Sequence, residues 1–150
     1  MLTWRELEKA APEIATRGRE LLDRFQFVLV GTLTKNGSPR VNPCEAYVID
    51  GHLLLNMMPQ SLKALDLLRD DRVYVHTPVT SKDGTEGEFK LAGRALTLED
   101  ERLRNELDDL FWEMIQWRPA PDSHYFEVHA ERAAYHHYGA EKIALRWSAD

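Results

Sequence analysis

The chain has 150 residues, of which 43% are hydrophobic and 29% are charged, and its formal net charge at neutral pH is −6. This length predicts one domain that buries roughly 70% of its unfolded surface, and the acidic balance argues against a nucleic-acid partner. No apolar run is long enough to span a bilayer and the N-terminus has no signal-peptide core, so we expect a cytoplasmic protein with no membrane partner. The single cysteine, Cys44, excludes an internal disulfide and a cysteine-based metal cage.

Two helical segments are predicted before the first strand. Thr3 and Glu6 form a capping-box pattern, which starts a helix near Trp4. Pro12 interrupts this helix, and the apolar spacing that follows predicts a second helix ending at Phe25. The two pieces could also form one kinked helix.

Short β-rich runs, separated by turn signals, dominate the segment that follows. Asn36-Gly37 and Asp50-Gly51 are hairpin-type turns, and they join three of the runs into a predicted antiparallel meander. Gly93 lies inside the last run and predicts a bulge or a close approach of another segment. The predicted strands cover residues 27–33, 40–49, 52–56, 72–77 and 87–98.

The last third of the chain combines one helix with further strands. Leucines at helical spacing after Asp100 predict a helix to about Trp117, and the residues from 123 to 148 read as extended. We therefore predict a single, mainly β domain over 1–150 with peripheral helices (α+β) and an antiparallel barrel. Its predicted parts are a helical extension at 1–25, a barrel core at 26–98, a helix at 99–117 and C-terminal strands at 123–148.

The aromatic residues of this last third predict either core packing or a subunit interface. A small barrel that exposed all of them would carry a large apolar patch, which indicates a homodimer. Cofactor stacking is the less favoured interpretation. The residues are Tyr125, Phe126, Tyr135, Tyr138 and Trp147.

The stretch from 53 to 72 is the one segment whose pattern indicates a ligand. A strand ends before Pro59, and a helix begins after Ser61, which is placed as its N-cap. Unpaired N–H groups at a helix start, with the Ser61 hydroxyl and the Lys63 ammonium, would suit a phosphate. The spacing alone favours a plainer alternative, a capped connector helix with a solvated lysine. Three leucines recur at helical spacing and predict its buried face: Leu62, Leu65 and Leu68.

No other motif assigns catalytic chemistry. The sequence has no nucleophile elbow, no P-loop and no dinucleotide fingerprint. None of its six histidines pair at the spacing of a zinc protease, and the adjacent His136 and His137 would point to opposite faces of a strand, so no metal site is predicted. Cys44 lies within a predicted strand and reads as a small buried hydrophobe. The catalytic residues stay unidentified.

Two segments of the chain are informative when they are taken together. The first is VGTLTKNGSPRVNPCEAYVIDGHLLLNMMPQSLKALDLLRDDRVYVH, Val30 to His76, and the second is GEFKLAGRA, Gly87 to Ala95. Together they resemble the pyridoxamine 5′-phosphate oxidase-like, flavin-binding split-barrel superfamily. The order of a strand ending in Gly-Thr-Leu, the N-G-x-P-R hairpin, the D-G turn and the S-x-K helix start carries the resemblance. It implies a six- to seven-stranded antiparallel split β-barrel with Greek-key-like topology.

The resemblance also implies a cofactor and a place for it. The cofactor would be flavin mononucleotide (FMN), held between the two subunits of a homodimer, with its phosphate at the start of the central helix and its ring beside two strands and one polar side chain. With FMN in place, the protein would be an oxidoreductase acting on a small-molecule substrate. The positions implied as cofactor-binding are Arg40, Val41, Asn42, Pro43, Asn56, Met57, Ser61, Leu62, Lys63 and Glu88.

Departures from the family pattern limit what can be carried over. The chain lacks the Trp-Gly-Gly and Arg-Leu-His-Asp-Arg-like segments by which true pyridoxamine phosphate oxidases hold their substrate, and Leu62 and Asn42 stand where those enzymes tend to place arginines. The vitamin B6 reaction is therefore not expected. A deazaflavin-dependent reductase and a non-catalytic flavin carrier or sensor are the alternatives, with haem binding through His76, His124 or His129 the least favoured.

Overall fold

The computed structural model describes the whole chain, residues 1–150. The chain contains four helices and seven strands. The helices are α1 (Trp4–Ala10), α2 (Pro12–Phe25), α3 (Leu62–Arg69) and α4 (Glu101–Ile115). The strands are β1 (Phe27–Leu33), β2 (Pro39–Ile49), β3 (His52–Met57), β4 (Arg72–His76), β5 (Glu88–Thr97), β6 (His124–Tyr138) and β7 (Lys142–Ser148).

All strand pairs are antiparallel, and six of the strands close into a barrel. The strands follow the order β3-β2-β1-β4-β5-β6-β7, and an additional β3–β6 pairing completes the ring. The order β3-β2-β1-β4 is that of a Greek key, because the chain returns from β3 through α3 to lie beside β1. The predicted antiparallel barrel with peripheral helices is confirmed.

Strand β6 is long enough to serve both the barrel and the extra strand. Its first residues pair with β3, and its second half, Arg132–Tyr138, pairs with β7. From Phe126 to His136, β6 also pairs with β5, and the register of this pairing shifts between Ala92 and Gly93. This shift leaves Glu131 as the extra residue of a β-bulge, as the glycine within the predicted strand indicated.

The N-terminal helices are separate elements rather than one kinked helix. Thr3 and Glu6 form the capping box of α1. Ala11 is not helical and separates α1 from α2, which begins at Pro12. Trp4 and Leu7 are buried in the main core with the inner face of the barrel, so α1 and α2 cover one end of the sheet. Helix α4 packs its buried side chains, Leu107 and Phe111 among them, against a second, smaller core.

The predicted buried face of α3 is wrong. Leu62, Leu65 and Leu68 are 60%, 36% and 53% exposed, whereas Ala64 and Leu67 turn inward. A carboxylate, Asp66, shares the buried face, and this charge in an apolar position is what hydropathy alone misreads. The exposed leucines leave an apolar stripe on the surface of α3.

The argument for a dimer from the C-terminal aromatics is also wrong in its premise. Tyr125, Phe126 and Tyr135 are buried within the protomer, and only Tyr138 of that group is largely exposed. The reason is that β6 crosses both cores, so its aromatic side chains are covered from both sides. Exposed apolar surface lies elsewhere: on α3, at the C-terminal end of α4 and on the outer face of the barrel.

Candidate functional site

The start of α3 leaves backbone donors unpaired. The Ser61 hydroxyl accepts a hydrogen bond from the Ala64 N–H at 3.4 Å, which confirms Ser61 as the N-cap. The N–H groups of Leu62 and Lys63 have no hydrogen-bond partner. Lys63 forms no ion pair, so its ammonium is also free of a carboxylate. Two free N–H groups, the helix dipole and one cation together provide the donors that a phosphate requires.

Asp66 ties this helix to β2. Its side chain is only 4% exposed, and its Oδ2 accepts from Thr32 Oγ1 at 2.8 Å and from Arg40 Nε at 2.7 Å. Oδ1 accepts from Arg69 Nη2 at 3.0 Å. Burial opposes ionisation of Asp66, but the hydrogen bonds from Arg40, Thr32 and Arg69 outweigh it and keep its pKa below the usual range. The carboxylate therefore fixes Arg40 beside α3 and leaves the terminal Nη groups of Arg40 available.

A groove of about 590 Å³ crosses the outer face of the barrel next to Arg40. Val41, Gly31 and Tyr74 lie side by side across β2, β1 and β4 and form its floor. Val41 is 63% exposed and Tyr74 is 43% exposed, while Gly31 presents no side chain. This flat apolar surface has the shape and chemistry that a planar aromatic ring needs.

The structure brings nine of the ten sequence-predicted positions together and holds the tenth apart. Nine lie on β2, at the end of β3 and at the start of α3: Arg40, Val41, Asn42, Pro43, Asn56, Met57, Ser61, Leu62 and Lys63. Glu88 lies on β5, and within one protomer β1 and β4 stand between β5 and β2. Met57 is buried in the barrel core, and the Asn56 amide donates to the His124 carbonyl at 3.4 Å, so these two residues offer mainly their backbone.

Glu88 is surrounded by basic side chains. Its Oε1 lies 2.7 Å from Lys90 Nζ, and its two carboxylate oxygens lie 4.0 Å from His76 Nε2 and His136 Nδ1. Burial opposes ionisation of Glu88, but Lys90 and the two histidines outweigh it and lower its pKa. His136 Nδ1 is itself buried without a hydrogen-bond partner. Glu88 is therefore an anion at neutral pH and an acceptor at the edge of the sheet face.

Cys44 does not have the properties of a nucleophile. It is buried, and that burial raises the pKa of its thiol to about 12, although the Lys63 charge nearby acts in the opposite direction. A thiol with this pKa stays protonated at neutral pH, so it cannot attack as a thiolate. This agrees with its interpretation as a small buried hydrophobe. No group of three His, Cys, Asp or Glu side chains is arranged to hold a metal ion.

Sequence reasoning missed Asp66, its partner Arg69 and the basic groups around Glu88. A signal for Asp66 was present: a carboxylate at the same helical face as Ala64 and Leu67 indicates a buried ion pair. For the basic groups no such signal exists, because only the pairing of β4, β5 and β6 brings them together.

Comparison with known proteins identifies the family of the chain. A family model described as pyridoxamine 5′-phosphate oxidase matches residues 14–137. The chain belongs to the pyridoxamine 5′-phosphate oxidase-like family. The match covers the barrel from α2 to β6, including the start of α3 and the groove. Among curated proteins, none matches the chain.

Several solved structures share the fold of this chain. A haem-binding protein from Mycobacterium smegmatis has a TM-score of 0.68 at 16% identity, and the match covers 88% of this chain but only 57% of that protein. A Clostridium acetobutylicum protein related to general stress protein 26 of Bacillus subtilis, of the pyridoxinephosphate oxidase family, has a TM-score of 0.64 at 20% identity, with 87% and 91% covered. PhzG from Burkholderia lata, in complex with tetrahydrophenazine-1-carboxylic acid, has a TM-score of 0.62 at 14% identity, with 93% and 82% covered. At such low identities these structural similarities show a shared fold alone, and membership of the family by itself assigns no reaction.

Proposed function

We propose that this member of the pyridoxamine 5′-phosphate oxidase-like family is a homodimeric oxidoreductase that binds FMN. It would pass hydride or electrons to a small organic acceptor. The observation that carries the proposal is the start of α3, where two free N–H groups and the unpaired Lys63 meet beside the anchored Arg40. A dianionic phosphate is the ligand group that this donor set fits best.

The proposed cofactor has room for its ring as well as its phosphate. The groove over Val41, Gly31 and Tyr74 is apolar and flat, and Arg40 lines the groove as well as bordering α3. Bound FMN would supply the redox chemistry, and the protein would supply orientation and exclusion of water. Glu88 would accept a hydrogen bond from the ring of the cofactor at the subunit interface. The protein is proposed to work in the cytoplasm. No helix in the structure has the length and apolar character needed to cross a membrane.

Replacing Lys63 by alanine should weaken FMN binding by about 1.5–3 kcal/mol, roughly ten- to hundredfold. The reason is that the ammonium is the one mobile cation at the start of α3 that no carboxylate neutralises. Quenching of flavin fluorescence on titration measures the dissociation constant. The matched control is Lys35→Ala, which removes an exposed lysine from the turn between β1 and β2 and should leave the constant unchanged. Equal affinities of the Lys63→Ala protein and the unchanged protein would contradict this role.

Replacing Val41 by glutamate should weaken the proposed dimer at least about tenfold. Val41 lies at the β2 end of the row that it forms with Gly31 and Tyr74 on the outer sheet face, and a second copy covering that row would have to desolvate the new carboxylate. Sedimentation equilibrium at micromolar concentration measures the change. Val79→Glu is the control, because Val79 is also about half exposed but lies in the loop after β4. A monomeric unchanged protein would overturn the dimer itself.

A second candidate function, haem binding, is favoured by one observation on His76. Its Nδ1 lies 2.6 Å from the carbonyl oxygen of Thr77, which can only accept, so Nδ1 carries the proton and Nε2 is left for another partner. His76 also lines the groove. A Soret shift on haem titration that disappears in His76→Ala but persists in His124→Ala and His129→Ala would favour this candidate over FMN. A shift retained in His76→Ala dismisses His76 as the ligand.

A further inference from the structure

Three cationic side chains meet at a second groove, which lies beside the groove proposed for the cofactor ring. This cationic groove of about 420 Å³ lies on the outer face of β5, β6 and β7 and is lined by Lys90, Arg132 and Arg146. Its lining includes no carboxylate. The net charge of the chain is −6, so this groove is a local concentration of positive charge on an acidic protein, and such a concentration attracts anions.

Strand register explains why these side chains converge. Lys90 on β5 and Arg146 on β7 both pair with Ala134 of β6, so they stand on either side of the same small residue. Arg132 lies two residues from Ala134 on the same strand and therefore points to the same face. Ala92 opposes Arg132 from β5, so small side chains form the floor and leave the hollow open.

Two of the three cations have no anionic partner. Lys90 is paired with Glu88, but Arg132 and Arg146 take part in no ion pair, and both are exposed. Guanidinium groups are suited to bidentate binding of carboxylate and phosphate. Arg132 and Arg146 are therefore free to hold an anion.

The positive charge of this cluster affects the pKa of a neighbouring histidine, His136. Burial lowers the pKa of His136, and the charges of Lys90, Arg146 and Lys142 lower it further, against the opposing effect of Glu88. The positive charges thus extend along β6 beyond the groove.

The cationic groove is continuous with the groove proposed for the cofactor ring. Tyr74, Ala92 and Arg132 line both. We propose that the cationic groove binds the substrate, and that this substrate is a small organic anion carrying a carboxylate or phosphate group, held by Arg132 and Arg146. The assignment of the anion as the substrate rests on the proposed function. The anion site itself does not depend on a cofactor.

Isothermal titration at low salt tests the site on the protein as purified. The probes are 2-naphthoate and phenyl phosphate, with 2-naphthamide as the uncharged counterpart of the carboxylate. We expect at least one of the two anions to bind roughly tenfold or more tightly than the amide, and this preference to be lost in the double variant Arg132→Gln/Arg146→Gln. The matched control is Arg24→Gln, which removes an exposed, unpaired arginine at the end of α2 and should keep the preference.

Two results would overturn the proposal. The first is that the unchanged protein binds the anions and the amide with equal affinity. The second is that the double variant, shown to be folded by an unchanged unfolding temperature, binds the anions as tightly as the unchanged protein does. FMN titration of the single variant Arg146→Gln separates this inference from the proposed function, because Arg146 lines only the cationic groove. This variant should bind FMN normally while its preference for the anion falls. If FMN binding is absent but the anion preference is present, the cofactor assignment fails and the anion site stands.

Discussion

Replacing Gly93 by alanine should destabilise the fold by about 3 kcal/mol or more, so that much of the protein is recovered unfolded or aggregated. A Cβ at this position would lie 1.8 Å from the backbone oxygen of His129. The obstacle is main chain on β6, so no side-chain rotation relieves the overlap, and the bulge that joins β5 to β6 must open. Urea-induced unfolding followed by circular dichroism measures the change in the free energy of unfolding.

Gly31→Ala is the matched control for this substitution. Gly31 is also a strand glycine, but a Cβ there would meet the Tyr74 Cβ at 3.3 Å, a tight contact that a few tenths of an ångström relieve. We expect a loss of less than about 1 kcal/mol. If Gly93→Ala were no more destabilised than Gly31→Ala, the close approach of β5 to β6 described above would be wrong.

Replacing Asp66 by asparagine should cost about 3 kcal/mol of stability. The substitution removes the charge that Arg40 and Arg69 share, and it leaves Thr32 and both guanidinium groups with a weaker partner in a nearly closed site. FMN affinity should fall as well, because Arg40 would no longer be fixed beside α3. Chemical denaturation and flavin titration of the same variant give the two quantities.

The pH dependence of stability follows from the same carboxylate. Because the folded-state pKa of Asp66 is lowered, its contribution is fully present above the unfolded-state pKa of about 3.9 and is lost as the pH falls through the folded-state value. The unchanged protein should therefore lose stability below about pH 4 more steeply than Asp66→Asn does. Asp23→Asn is the control, since the Asp23–Arg19 pair is exposed and should change stability by less than about 0.5 kcal/mol. Parallel acid profiles for Asp66→Asn and the unchanged protein would contradict the assignment.

Much of the fold could be predicted because its signals are local. The turns at Asn36-Gly37 and Asp50-Gly51 and the alternation between them predict β1, β2 and β3 nearly to the residue. The caps Thr3 and Ser61 mark two helix starts correctly. The pairing of β3 with β6 has no local signal, since it joins segments far apart in the chain, and it is what closes the barrel.

The two wrong predictions, the buried face of α3 and the exposure of the β6 aromatics, share one physical cause. The hydropathy of a residue does not show which residues it contacts in the folded protein. On α3 the leucines look like the buried face, yet the buried position belongs to Asp66, whose cost of burial is offset by Thr32, Arg40 and Arg69. The aromatics of β6 look like surface in need of a partner, but α1, α2 and α4 already cover them. In both cases the deciding contacts come from elements remote in sequence.

The candidate site also has residues that could be predicted from local sequence and residues that could not. Ser61 and Lys63 could be identified from the pattern of a strand, a turn and a capped helix, together with the family resemblance. Arg132 and Arg146 could not, because neither belongs to a motif and their proximity to Lys90 exists only in the register of three strands. The anchoring of Arg40 by Asp66 is likewise a tertiary contact.

The central claim is that the start of α3 holds the phosphate of a flavin nucleotide. Its most direct test compares the dissociation constants of FMN and riboflavin for the same protein, since the two ligands share the ring and differ only by the phosphate. The account predicts that FMN binds roughly tenfold or more tightly than riboflavin, and that this difference largely disappears in Lys63→Ala. Equal binding of FMN and riboflavin, or no binding of either, would contradict it.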